Sequence, residues 1–155
     1  MNKNYRRVSL QDDIAVLKLI KEIEFTPDIL PICLPERDYG ITNKYECEIS
    51  GYGCLDSETV ARFLYRVKQQ MFEKDECNKE MFPSTLLKYP GMICVGKSKS
   101  EQGIACTGDS GGPLHCKINN RWRLIGLASW GYRGCIKKMS VYTRVYHLLY
   151  IYRTG

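Results

Sequence analysis

Eight cysteines in 155 residues, running from Cys33 to Cys135, constrain this fold more than any other feature of the chain. The count is even, no two cysteines form a CxxC pair, and only two histidines accompany them. That pattern disfavours a metal site and favours an oxidised, disulfide-bearing domain in a secreted or extracellular setting. The N-terminus disagrees, because Met1-Asn2-Lys3-Asn4-Tyr5-Arg6-Arg7 is polar and basic and no apolar signal core follows. The simplest resolution is that the chain is a piece of a longer secreted or membrane-tethered precursor. Its longest apolar run, Ile14–Ile20, is short and broken by Lys18, so no membrane insertion by this chain is expected.

The length fits one domain with a real core, and 44% hydrophobic and 26% charged residues are ordinary for a globular protein. The net charge of +6 is uneven: eight Lys and Arg and no Asp or Glu follow Ser110, which leaves −2 for the part up to Ser110. A basic face of that kind can steer acidic partners. No run of basic residues exceeds two, so scattered surface charge is the favoured reading and nucleic acid is not expected as a partner.

Along the chain, Val8–Leu19 reads as a loop entering a buried strand at Ile14-Ala15-Val16-Leu17-Lys18-Leu19, with a short helix as the competing assignment. Pro27, Pro31, Pro35 and Gly40 make 27–43 extended, irregular chain resembling a linker. From Lys44 onward the pattern is short β segments: Tyr45–Tyr52, Phe63–Met71, Met92–Val95, Pro113–Ile118, Arg121–Trp130 and Val141–Val145. Glu73–Phe82 is polar and suits one short helix. Asn119-Asn120 signals a hairpin. Val145–Arg153 lacks Gly and Pro and leans towards a helix. Short strands at near-regular spacing predict an all-β barrel or sandwich.

The chemistry is concentrated at Gly108-Asp109-Ser110-Gly111-Gly112-Pro113-Leu114, a serine among glycines with Cys106 and Cys116 on either side. Glycines allow a tight turn and close approach of a substrate to Ser110. An α/β-hydrolase is excluded by order, since that fold needs a helix, an acid and then a histidine after the serine, and no acid follows Ser110. Any acid must therefore lie upstream. The serine also needs a base. His115 is five positions on, roughly 16 Å along an extended strand, and His147 in the C-terminal segment reads as exposed.

Cys106-Thr107-Gly108-Asp109-Ser110-Gly111-Gly112-Pro113-Leu114 resembles the active-serine signature of chymotrypsin-like (trypsin-family) serine proteases. Asp12-Asp13-Ile14-Ala15-Val16-Leu17-Lys18-Leu19 is similar to the segment bearing their catalytic Asp, and Pro31-Ile32-Cys33-Leu34-Pro35 to their interdomain linker. Cys47–Gly53, Met92–Gly96, Ser129-Trp130-Gly131 and Val141–Val145 follow in register. The match covers roughly the C-terminal two thirds of such a domain. It implies two β-barrels, of which this chain holds the end of the first (1–26), the linker (27–43) and the second barrel with a C-terminal helix (44–155).

The resemblance also implies roles. Ser110 would be the nucleophile and Asp13, favoured over Asp12 by the register of the apolar residues after it, the acid. The N–H groups of Gly108 and Ser110 would form the oxyanion hole. Asp109 would receive the N-terminal ammonium freed on zymogen cleavage. Ser129, Trp130 and Gly131 would bind substrate backbone, and Ile104 and Ser140 would shape the specificity pocket. The implied disulfides are Cys47–Cys116, Cys77–Cys94 and Cys106–Cys135. Cys33 matches a cysteine that ties an upstream pro-segment to the domain; Cys54 is either free or paired with Cys33. No cofactor or metal is implied, and the partner is a protein or peptide substrate.

Three departures stand out. The segment bearing the histidine base and the activation site is missing, Ile104 stands where trypsin-like enzymes carry Asp, and Met139-Ser140 replaces the usual Pro-Gly. The resemblance therefore predicts a serine endopeptidase domain that is inactive as given, with a non-catalytic binding or decoy module as the alternative.

Overall fold

A computed structural model of the chain describes residues 2–56, 59–81, 89–98, 103–131, 135 and 138–154. Six strands, β1 (Glu46–Gly51), β2 (Tyr65–Phe72), β3 (Met92–Lys97), β4 (Pro113–Ile118), β5 (Arg121–Gly131) and β6 (Met139–Arg144), close into one barrel in the order β1-β2-β3-β6-β5-β4. Every neighbouring pair is antiparallel. Among the described residues two helices complete the fold, α1 (Lys74–Met81) between β2 and β3 and α2 (Val145–Thr154) at the C-terminus. The strands expected from Lys44 onward, both helices and the barrel architecture are therefore present. Of the expected helix Glu73–Phe82, Phe82 lies outside the described residues, as do Arg133, Ile136 and Lys137 and the side chain of Arg153.

Closure explains the burial pattern. Ile49, Val95, Leu114, Ile118, Ile125 and Tyr142 fill the barrel interior. Met92, Cys94, Met139 and Val141 are buried on the opposite face of β3 and β6, against Cys77 and Met81 of α1. Both faces of these strands are covered, so Met92–Val95 and Met139–Thr143 are buried without interruption instead of alternating. In α1 only Cys77 and Met81, four positions apart on one helical face, are buried. Asp75 and Glu76 occupy the first turn, where the helix dipole favours negative charge. The β4–β5 turn is made by Asn119 and Asn120 at φ 50° and 61°, the left-handed pair that a two-residue hairpin requires and that asparagine tolerates.

The bridges are Cys47–Cys116, Cys77–Cys94 and Cys106–Cys135, the pairs the resemblance implied, and Cys33 and Cys54 are free. The first joins facing residues of β1 and β4, the second fastens α1 to β3, and the third closes the loop that carries Ser110.

Upstream of β1 the described residues form no regular element, and only parts of this stretch are tied to the barrel. Leu124 N–H donates to the Cys33 carbonyl at 2.9 Å, and Arg123 donates to the Leu34 carbonyl and the Glu36 carboxylate. Asn43 exchanges two hydrogen bonds with the Met71 backbone, acting as a short strand partner. The strand expected at Ile14–Leu19 does not form. These residues are irregular, and Val16, Leu17, Leu19 and Ile20 are exposed. A strand needs a hydrogen-bonded neighbour, and among the described residues no strand pairs with this stretch.

Candidate active site

Ser110 is exposed on the turn between the Cys106 loop and β4. Gly108 and Gly111 sit at φ 96° and 78°, conformations that side chains other than glycine's resist, and a Cβ on Gly108 would also press on the Gly53 Cα. The turn is held by short backbone bonds. Asp109 N–H donates to the Cys106 carbonyl, Gly112 N–H to the Asp109 carbonyl, and Gly111 N–H to the Ala128 carbonyl of β5. Ala128 N–H returns the bond to Gly112. Among the described residues, neither the Gly108 nor the Ser110 N–H is spent on an internal acceptor.

Asp109 points away from this turn into a cradle. Its Oδ1 accepts the Gly53 N–H at 2.9 Å and its Oδ2 the Cys106 N–H at 3.0 Å. A Cβ on Gly51 or Gly53 would collide with the carboxylate, so both glycines are required by its position. A cavity of about 140 Å³ adjoins it, lined by Val67, Ile104 and Ala105 among others.

A second cavity of about 240 Å³ brings together Ser110, Ser129, Trp130, Gly131 and Ser140, with Ala105, Cys106 and Thr107 opposite. Among the described residues no charged side chain lines it. Ser110 and the residues to which the resemblance assigns substrate binding, Ser129, Trp130, Gly131 and Ser140, line one groove. Ile104, expected at its base, does not; it faces the cavity beside Asp109.

Asp13 reaches this region from more than a hundred residues upstream. Ser129 Oγ–H donates to Asp13 Oδ2 at 2.7 Å. The β5–β6 register shifts between Ala128 and Trp130, an irregularity that turns Ser129 out of the ladder. Asp12 faces elsewhere, its Oδ1 accepting the Tyr89 hydroxyl at 2.5 Å.

Neither histidine is free. His115 on β4 packs edge-on against Trp122 and lies 3.9 Å from the Glu48 carboxylate. Burial lowers its pKa, Glu48 raises it in part, and Arg66 lowers it again. His147 is half-buried on α2, not exposed as expected, because Tyr89 covers it at 3.0 Å. Tyr89 is the neighbour that sequence reasoning missed. It is 58 positions from His147 and 77 from Asp12, and no local pattern links them. Among the described residues no cluster of side chains suits a metal ion.

The trypsin family model matches residues 1–151. Transmembrane protease serine 11G of Rattus norvegicus is 35% identical over 150 residues, covering 95% of this chain and 36% of the relative. Its counterpart in Mus musculus is 34% identical over the same length and shares. The chain thus spans about a third of the curated relatives it matches. With the barrel, the three bridges and a family match over nearly the whole length, the chain belongs to the trypsin family of serine proteases.

Proposed function

We propose that this chain is the serine- and aspartate-bearing part of a serine endopeptidase domain, inactive as given because the histidine base lies outside these residues. One observation carries the reading: Ser110 lines the same groove as Ser129, whose hydroxyl is bonded to Asp13. In this reading Ser110 Oγ attacks a peptide carbonyl and forms an acyl-enzyme. The Gly108 and Ser110 N–H groups stabilise the oxyanion that develops. Asp13 orients the imidazole that takes the serine's proton. His115 and His147 are both engaged elsewhere, which supports placing that imidazole on another segment. Loss of one triad member lowers the rate by roughly four to six orders of magnitude.

Residues 1–26 would end a first barrel and 27–43 connect it to the second. Asp109, now bonded to Gly53 and Cys106, would receive the ammonium of a cleaved zymogen. Ser129–Gly131 would bind substrate backbone as an added strand. A groove with Ser140 in its wall and, among the described residues, no acid to pair a Lys or Arg side chain favours small or apolar side chains. Exposed Cys33 would bond an upstream pro-segment. The bridges fit an extracellular or secreted placement; the relatives are named as transmembrane proteases, and among the described residues no helix is long and apolar enough to cross a membrane. Ile104 in place of an acid favours a second reading, a non-catalytic homologue that binds without cleaving.

A fluorophosphonate probe separates the two. The isolated chain should not be labelled. Fused behind a trypsin-family segment carrying the histidine base, it should be labelled at Ser110, with labelling abolished by Ser110→Ala and strongly reduced by Asp13→Ala. An unlabelled but folded fusion would sink the enzyme reading in favour of the binding module.

A further inference from the structure

The loop that carries Asp13 is held in an unfavourable shape. Leu10 and Asp12 both sit at φ 53°, in the left-handed region that costs residues other than glycine about 1 kcal/mol or more. Such a conformation persists only where its surroundings over-determine it. Locally, Ile14 N–H donates to the Asp12 carbonyl at 2.9 Å, and the Asn2 amide side chain donates to the same carbonyl at 3.3 Å. These bonds shape the loop but do not attach it to the barrel.

Leu10 packs against the buried cluster of α1, β3 and β6, and Asp12 is held by Tyr89, just ahead of β3. Its hydroxyl donates to Asp12 Oδ1 at 2.5 Å. A phenol has one proton, so the 3.0 Å contact between Tyr89 Oη and His147 Nε2 must use an N–H donated by the imidazole. The chain of donors therefore runs His147 to Tyr89 to Asp12 and assigns the Nε2 proton. Burial, and then the bond and charge of Asp12, push the Tyr89 hydroxyl well above the usual phenol range, which keeps it a donor. Tyr89 is itself fixed. Lys74 Nζ donates to its carbonyl at 2.8 Å, and its ring meets His147 edge-on at 5.2 Å. A Cβ on Gly91 would collide with both rings.

Asp13 is the next residue along, and its carboxylate meets Ser129 at the edge of the candidate groove. We propose that Tyr89 and His147 are positioning residues that set the Asp13 carboxylate against Ser129 by anchoring Asp12. The role rests on Asp13 being the acid of a serine protease site. Neither Tyr89 nor His147 lines the groove of Ser110, so they act through the loop that carries Asp12 and Asp13.

Three variants of the full chain test it by amide hydrogen exchange and by the Asp13 carboxyl carbon resonance. Tyr89→Phe keeps the ring and removes the hydroxyl. It should speed exchange at Ile14 by about tenfold or more, the equivalent of one lost net hydrogen bond, and move the Asp13 resonance. Val95 and Tyr142, deep in the barrel, should exchange as before. His147→Ala should act in the same direction, and His147→Gln, which retains an N–H donor, should restore wild-type behaviour. An unchanged Ile14 rate and Asp13 resonance in Tyr89→Phe would overturn the proposal. So would identical behaviour of His147→Ala and His147→Gln, which remains decisive if Tyr89→Phe disturbs the barrel. Neither readout needs Ser110 to react, so a failure here is distinct from an unlabelled Ser110 in the fused domain.

Discussion

Leu17 and Leu114 stand in similar company and end in opposite states. Leu17 lies in Ile14–Ile20, a run that is apolar but for Lys18, and is 85% exposed; Leu114, in the shorter apolar segment of β4, is fully buried. The residues differ little in β-propensity. What separates them is the backbone around them: β4 has β1 on one side and β5 on the other, whereas no strand among the described residues pairs with Ile14–Ile20. Apolar composition thus marks a segment that can be buried, and a hydrogen-bonded neighbour decides whether it is.

The contrast can be attacked at several points. The largest effect should come from the cross-links. Replacing Cys47 and Cys116 together by Ala opens a link spanning 69 positions and should cost roughly 4 kcal/mol in a denaturant titration. Cys33→Ser, at an exposed free thiol, should leave the midpoint unchanged. Next comes the core: Leu114→Ala should destabilise by about 3 kcal/mol, and Leu17→Ala by less than about 0.5 kcal/mol. A comparable loss at Leu17 would mean that Ile14–Ile20 packs on the barrel after all. Asn43→Ala, which removes both bonds to Met71, should cost about 1 kcal/mol and loosen the segment before β1 in limited proteolysis.

The smallest effect is a pH dependence confined to the barrel. Burial holds the His115 pKa below its usual 6.5, so the folded state binds its proton less readily than the unfolded chain does. Its contribution is neutral above about pH 6.5 and becomes destabilising as the pH falls through that value. His115→Gln should flatten this part of the stability curve. A wild-type curve that rises on acidification through the same range would contradict the assignment.

Legibility followed the range of the interactions. The strands of the barrel, both helices and the Asn119-Asn120 turn rest on periodicity and turn chemistry within a few residues, and they are visible in the sequence. The bridges became visible only through the family resemblance, since eight cysteines permit many pairings. The strand predicted at Ile14–Leu19 failed because pairing is not a property of one segment. Ile104, expected at the base of the specificity pocket, lines the cavity beside Asp109, a placement that its residue type does not signal. The contacts of Asp13 with Ser129, 116 positions away, and of Tyr89 with His147, 58 positions away, have no sequence signature at all.

The cradle of Asp109 has a consequence for how this sequence can change. Gly51 and Gly53 have no room for a Cβ because the Asp109 carboxylate occupies the space, and the carboxylate stays there because Gly53 and Cys106 donate to it. Tolerance at positions 51, 53 and 109 is therefore interdependent. A substitution scan that varies them one at a time will score each as intolerant, while the information resides in the trio.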